Sequence, residues 1–111
     1  MTLQTLLGNS DLVMFMAEGT ATGIDPKFQA GNRHALIVLL KQDKGDEPDI
    51  VRALLVAERD GWSKLEIEEA AVVDLEAEPD PEFREALALA YESTIRDGFH
   101  VLRFTDPLTS G

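Results

Sequence analysis

The sequence predicts an α+β domain, and three observations predict it. Ala35-Leu36-Ile37-Val38-Leu39-Leu40 is an unbroken apolar run with the length of a central strand. From there the pattern reads strand, helix, strand, strand, helix, strand. In that order the segments expected inside the sheet are the most apolar, and those expected at its edges alternate. A β-α-β-β-α-β order is the split βαβ, or ferredoxin-like, plait. With its strands counted in chain order, right-handed crossovers give an antiparallel sheet of order 4-1-3-2.

The whole chain, 1–111, reads as one domain. It divides into an N-terminal extension (1–33), a first βαβ half (34–68), a second half (69–105) and a tail (106–111). In the extension, Leu3, Leu6 and Leu7 make one helical turn ended by Gly8-Asn9. Leu12 to Met16 reads as a strand, or as a short helix capped by Ser10. The strand reading is preferred, continuing towards Thr22 and adding to a sheet edge. The extension is thus an extra strand or short helix beside the plait.

In the first half, Pro48 suits the first residue of a helix, with Asp46 or Glu47 near its cap. Ile50, Ala53, Leu54 and Ala57 share one helical face, and Gly61 closes the helix. Trp62 to Glu68 then alternates, as a strand with one wet face does. In the second half, Ala71 to Leu75 is the next strand. Asp80-Pro81 is a cap followed by a first-turn proline, with Phe83, Leu87, Ala90 and Thr94 on the buried face. Gly98 ends that helix, and Phe99 to Thr105 is the last strand. The halves superpose without a gap, Arg59-Asp60-Gly61-Trp62 lying over Arg96-Asp97-Gly98-Phe99. One joint is weak: Glu68-Glu69-Ala70 holds none of the usual hairpin-turn residues, so a single bent strand across 62–76 is the alternative.

Composition narrows the function classes. The chain has no cysteine, which excludes disulfides, thiolate metal sites and a thiol nucleophile. It has 10 Lys plus Arg against 21 Asp plus Glu, a formal net charge of −11. Such a balance argues against nucleic-acid binding, which rests on Lys and Arg displacing counterions. No apolar run has the length of a membrane-spanning helix, and Met1 to Asp11 lacks a basic leader, so a soluble cytoplasmic protein is expected. Residues 46–98 carry the whole imbalance. That segment is either a solvated face or a landing surface for a basic partner.

In a plait both helices cover one sheet face. Leu65, Ile67, Leu102 and Phe104 are expected to point at them. The other face would then carry Ile37, Leu39, Val72, Phe99, Val101 and Arg103, an apolar centre with a charged rim. Contiguous exposed apolar patches mark interaction sites. The N-terminal segment, a second copy of the chain or a different partner can cover it.

Catalytic patterns mostly fail. His34 and His100 start antiparallel neighbouring strands and sit about 20 Å apart at strand rise. Ser63 and His100 lie on opposite edge strands, too far apart for a nucleophile and its base. Gly19-Thr20-Ala21-Thr22-Gly23 lacks the lysine of a phosphate loop. Asp74, Glu76, Glu78, Asp80, Glu82 and Glu85 copy calcium-loop spacing, but Pro79 stands where that loop needs glycine. No cofactor, metal or catalytic residue is expected.

Two functional readings follow. The first is a small acidic module that docks on a basic protein, as an inhibitor, an immunity-type protein or an adaptor. Its contacts would be Glu66, Glu68, Glu69, Asp74, Glu76 and Glu78, with Trp62 as the apolar anchor. The second is a homodimer that holds a small molecule, or runs simple chemistry, across the open sheet face. His34 or His100 would then supply acid–base chemistry.

Overall fold

A computed structural model describes residues 2–77 and 80–108. The elements are α1 (Leu3–Leu7), β1 (Ser10–Ala21), β2 (Arg33–Asp43), α2 (Ile50–Arg59), β3 (Trp62–Val72), α3 (Arg84–Asp97) and β4 (Phe99–Arg103). The chain is an α+β domain with an open, four-stranded antiparallel sheet and three helices, consistent with the ferredoxin-like plait the sequence predicts.

The strand order differs from the expected 4-1-3-2: it is β3-β1-β2-β4. The N-terminal strand is central rather than marginal. β1 and β2 pair from Ser10↔Asp43 to Thr20↔Arg33, the longest ladder in the sheet. β1 alternates buried and more exposed residues along its length, so it supports a ladder on each side. The place expected for a strand over 71–75 is therefore taken. Glu68-Glu69-Ala70 makes no turn, and β3 runs through it to Val72 before the chain leaves the sheet. The bent-strand alternative describes this region. Two register shifts, at Met16/Ala17 and Glu18/Thr20, bend β3 against β1. Lys64, at φ 47°, sits at the second of them.

Helix boundaries also shift. Asp49 caps α2 by accepting from the Arg52 N–H at 3.0 Å, so the helix starts after Pro48 rather than on it. Gln42 fixes that entry, donating to Glu47 O and accepting from Asp49 N. Asp80 accepts from the Glu82 N–H, but it caps a separate turn, and α3 begins only at Arg84. The two matching turns, Asp60-Gly61-Trp62 and Asp97-Gly98-Phe99, do share a shape. Both glycines adopt positive φ, 107° and 91°, where a side chain would be strained.

The helices do not share one face. Val13, Phe15, Ala17, Leu36, Val38, Leu40 and Val101 form the core beneath α2 with Ala53 and Ala57. The alternating positions Leu12 and Leu39 point the opposite way, yet are 1% and 0% exposed. Ala90 and Thr94 of α3 and Leu7 of α1 are the buried residues left to cover them. Lys41, one of the outward-alternating residues of β2, reaches Ile95 O of α3 with its Nζ. The sheet is thus covered on both sides, by α2 on one and by α1 and α3 on the other.

At one end of the core Phe28, His34 and Trp62 meet edge to face, with ring centroids 5.0 to 5.5 Å apart. His34 Nδ1 donates to Phe104 O at 2.8 Å, while its buried Nε2 has no hydrogen-bond partner among the described residues. Among the described residues no helix is long and apolar enough to cross a membrane.

Candidate functional site

The expected open face is not one surface. Register pairs Leu39 with His100 and Ile37 with Leu102, which places Ile37 and Leu39 on the α3 side. Val101 pairs with Val38 and joins the core under α2, with Phe99 and Arg103 on that same side. Val72 ends β3 at the sheet edge and is half-exposed. The expected inward residues divide as well: Leu65 and Ile67 pack on the α2 core, whereas Leu102 and Phe104 share the α3 side with Ile37 and Ala35. The cause is α3, which takes the face a two-layer plait leaves bare.

Trp62 is not an exposed anchor. It is 2% exposed, packed between Phe28 and His34, and its Nε1 donates to Asp60 Oδ2 at 3.0 Å. The start of β3 lies over the core because Trp62 pairs with Ala21, the last buried residue of β1.

The acidic residues are placed differently. Glu66, Glu68 and Glu69 are exposed on β3, an edge strand. Arg33 approaches Glu66 and Glu18 at 4.0 Å each. Charges on an edge strand discourage pairing with other sheets, which accounts for these three without a partner. Beyond β3, Asp74 turns the chain by accepting from the Glu76 N–H at 3.0 Å. Glu76 is exposed, and Glu78 lies outside the described residues.

After that turn the chain crosses to α3 and leaves a hollow of about 290 Å³. Met14, Val72, Phe83, Leu87 and Tyr91 supply apolar walls, and Asp74 and Asp80 stand among them. Val72 and Phe83 are each more than a third exposed. Burial raises the Tyr91 pKa above its usual 10.0, so the ring presents a neutral hydroxyl. The sequence alone points to Asp74, and to Val72 as part of an open face, but not to the hollow: it turns Phe83 and Leu87 inward on a helix face and puts Met14 in an edge strand.

Histidine chemistry finds no site. His34 lies five residues along β2 from Leu39, the partner of His100, and the two alternate to opposite faces, about 17 Å apart at strand rise. Ser63 and His100 are on opposite edges, with β1 and β2 between them. Among the described residues no group of three or more His, Asp or Glu side chains could hold a metal ion. Comparison with protein-family models, with curated proteins and with solved structures gives no match to this chain.

Proposed function

We propose that the chain is a cytoplasmic protein-binding module whose acidic side docks on a basic partner. The observation that carries this reading is the hollow between the end of β3 and α3. Edge protection explains Glu66, Glu68 and Glu69, but it does not explain an apolar pocket set among carboxylates. Half-exposed Val72 and Phe83 beside Asp74 and Asp80 suit a partner side chain with an apolar stem and a cationic head, such as arginine or lysine. The net charge of −11 would speed and orient the approach of such a partner. The apolar anchor expected at Trp62 moves to Phe83 and Val72. The reading of a dimer that holds a small molecule across an open face has less support, because α3 occupies that face.

The test begins with capture from host lysate at low and at high salt. A retained basic protein is then purified and titrated against the parent chain and a variant carrying Glu69→Gln, Asp74→Asn and Asp80→Asn. Affinity is expected to fall about tenfold or more, with a shallower salt dependence. Unchanged affinity in a folded variant refutes the site.

A further inference from the structure

The two edges of the sheet are built differently. β3 carries Glu66, Glu68 and Glu69, two register shifts and a strained Lys64, all of which blunt an edge. β4 carries none of these: it is Phe99-His100-Val101-Leu102-Arg103, without a carboxylate or a bulge. Lys41 N donates to Gly98 O, and Phe104 N to Ala35 O. The antiparallel ladder alternates, so Gly98, His100, Leu102 and Phe104 turn their backbone groups towards β2. The N–H and C=O groups of Phe99, Val101 and Arg103 therefore point away from the sheet, where no strand follows among the described residues.

Beside this edge runs a groove of about 670 Å³ between β4 and α2. Leu55 and Phe99 stand half-exposed in it. Asp60 and Asp97 also line it, but Asp60 is taken by Arg103 and Trp62, and Asp97 by Arg96. The Arg52 guanidinium donates to two carbonyls, Lys41 O and Gly98 O, and has no ion pair among the described residues, although Asp43, Asp46, Glu47 and Asp49 stand on its other side. Arg59 is exposed and has no ion pair among the described residues. In a chain as acidic as this, the groove thus holds one guanidinium, Arg59, free of an ion pair among the described residues, and a second, Arg52, at the Gly98 end of β4.

We propose that this groove takes an extended acidic segment of a partner protein, which pairs with β4 as an added strand. Main-chain bonds to Phe99, Val101 and Arg103 would hold it. Apolar side chains of the segment would meet Leu55 and Phe99, and its carboxylates would meet Arg52 and Arg59. Charge complementarity selects an acidic segment over a basic one. The site is separate from the acidic hollow and does not depend on it.

The test uses the full chain. Short random peptides are selected on it at low ionic strength, and one selected peptide is used as the probe. Enrichment of acidic and apolar residues at alternating positions is expected. On saturation the amides of Phe99, Val101 and Arg103 should exchange with solvent about tenfold more slowly or better, whereas His100 and Leu102 are protected already. Arg59→Glu should weaken the peptide about tenfold while leaving His100 and Leu102 protected, which shows the fold is intact. Failure to select acidic peptides, protection at β3 instead, or an unaltered affinity in Arg59→Glu overturns the proposal. Protection of the three amides that rises with protein concentration alone assigns the edge to a second copy and overturns it too.

Discussion

Asp60 accepts two hydrogen bonds from the Arg103 guanidinium, through Nε and Nη2, and a third from Trp62 Nε1. One carboxylate at the end of α2 thus ties the last strand to the indole at the start of β3. Asp25, in the loop between β1 and β2, approaches the same guanidinium at 3.6 Å. The Asp60 hydrogen bond, against the cost of burial, pushes the Arg103 pKa above its usual range. The pair closes the polar end of the core over Phe28, His34 and Trp62, and segments far apart in sequence depend on it.

Replacing Asp60 with asparagine should cost about 1–2 kcal/mol, the scale of a charge-assisted pair discounted for the partial exposure of Arg103. Asparagine keeps an acceptor for Trp62 but loses the bidentate fork to Arg103. Urea denaturation of the parent and the variant reads the difference. A loss of unfolding free energy below about 0.3 kcal/mol would show that solvent already screens the pair.

Gly19 is constrained by space rather than by its backbone angles. A Cβ there would lie 2.9 Å from Leu65 Cδ2 and 3.2 Å from both Leu36 Cδ1 and Trp62 Cβ. Gly19→Ala should therefore destabilise by about 1–3 kcal/mol, the usual scale of overpacking. The nearest atom is the end of a leucine, which can rotate, so Gly19→Ala together with Leu65→Ala should recover part of the loss. Additive losses in that pair would place the strain on the Trp62 side.

These residues show where the sequence was legible and where it was not. Local punctuation carried well: the turn at Leu3–Leu7 stopped by Gly8, the buried face of Ala53 and Ala57, and the positive-φ Gly61 and Gly98 follow from side-chain chemistry within a few positions. Strand order did not carry. Leu12 to Met16 is apolar enough for either a centre or an edge, and only the long ladder of β1 with β2 decides between them. Faces carried least. Alternation says which residues share a side, but α3 packs by tertiary contact on the side of Leu12 and Leu39, and nothing within α3 states that. The acids of the candidate site were legible as a charge run. Its apolar walls come from β1, β3 and α3, and only the fold assembles them.

Trp62 should behave as a core residue in every assay. Its fluorescence should resist quenching by added iodide, and binding of a partner should leave its emission unchanged. Trp62→Ala should cost about 3–5 kcal/mol, as large-to-small core changes do. Trp62→Phe should cost less while also freeing the Asp60 acceptor. Ready quenching in the folded protein would return this ring to the surface.

His100 should make stability depend on pH in the mildly acidic range. Burial lowers its pKa below 6.5, with Arg103 and Arg96 acting in the same direction and Asp60 and Asp97 against them. Below about 6.5 the unfolded chain then binds a proton more readily than the folded one, so stability falls as the solution is acidified. The contribution is complete above the unfolded pKa and is lost as pH drops through the folded one. His100→Gln removes this titration and leaves every carboxylate in place. The gap in urea midpoint between the two proteins should shift in favour of the variant as pH falls through that window, and stay constant above it. A gap that does not move with pH would show that His100 takes up its proton equally well in both states.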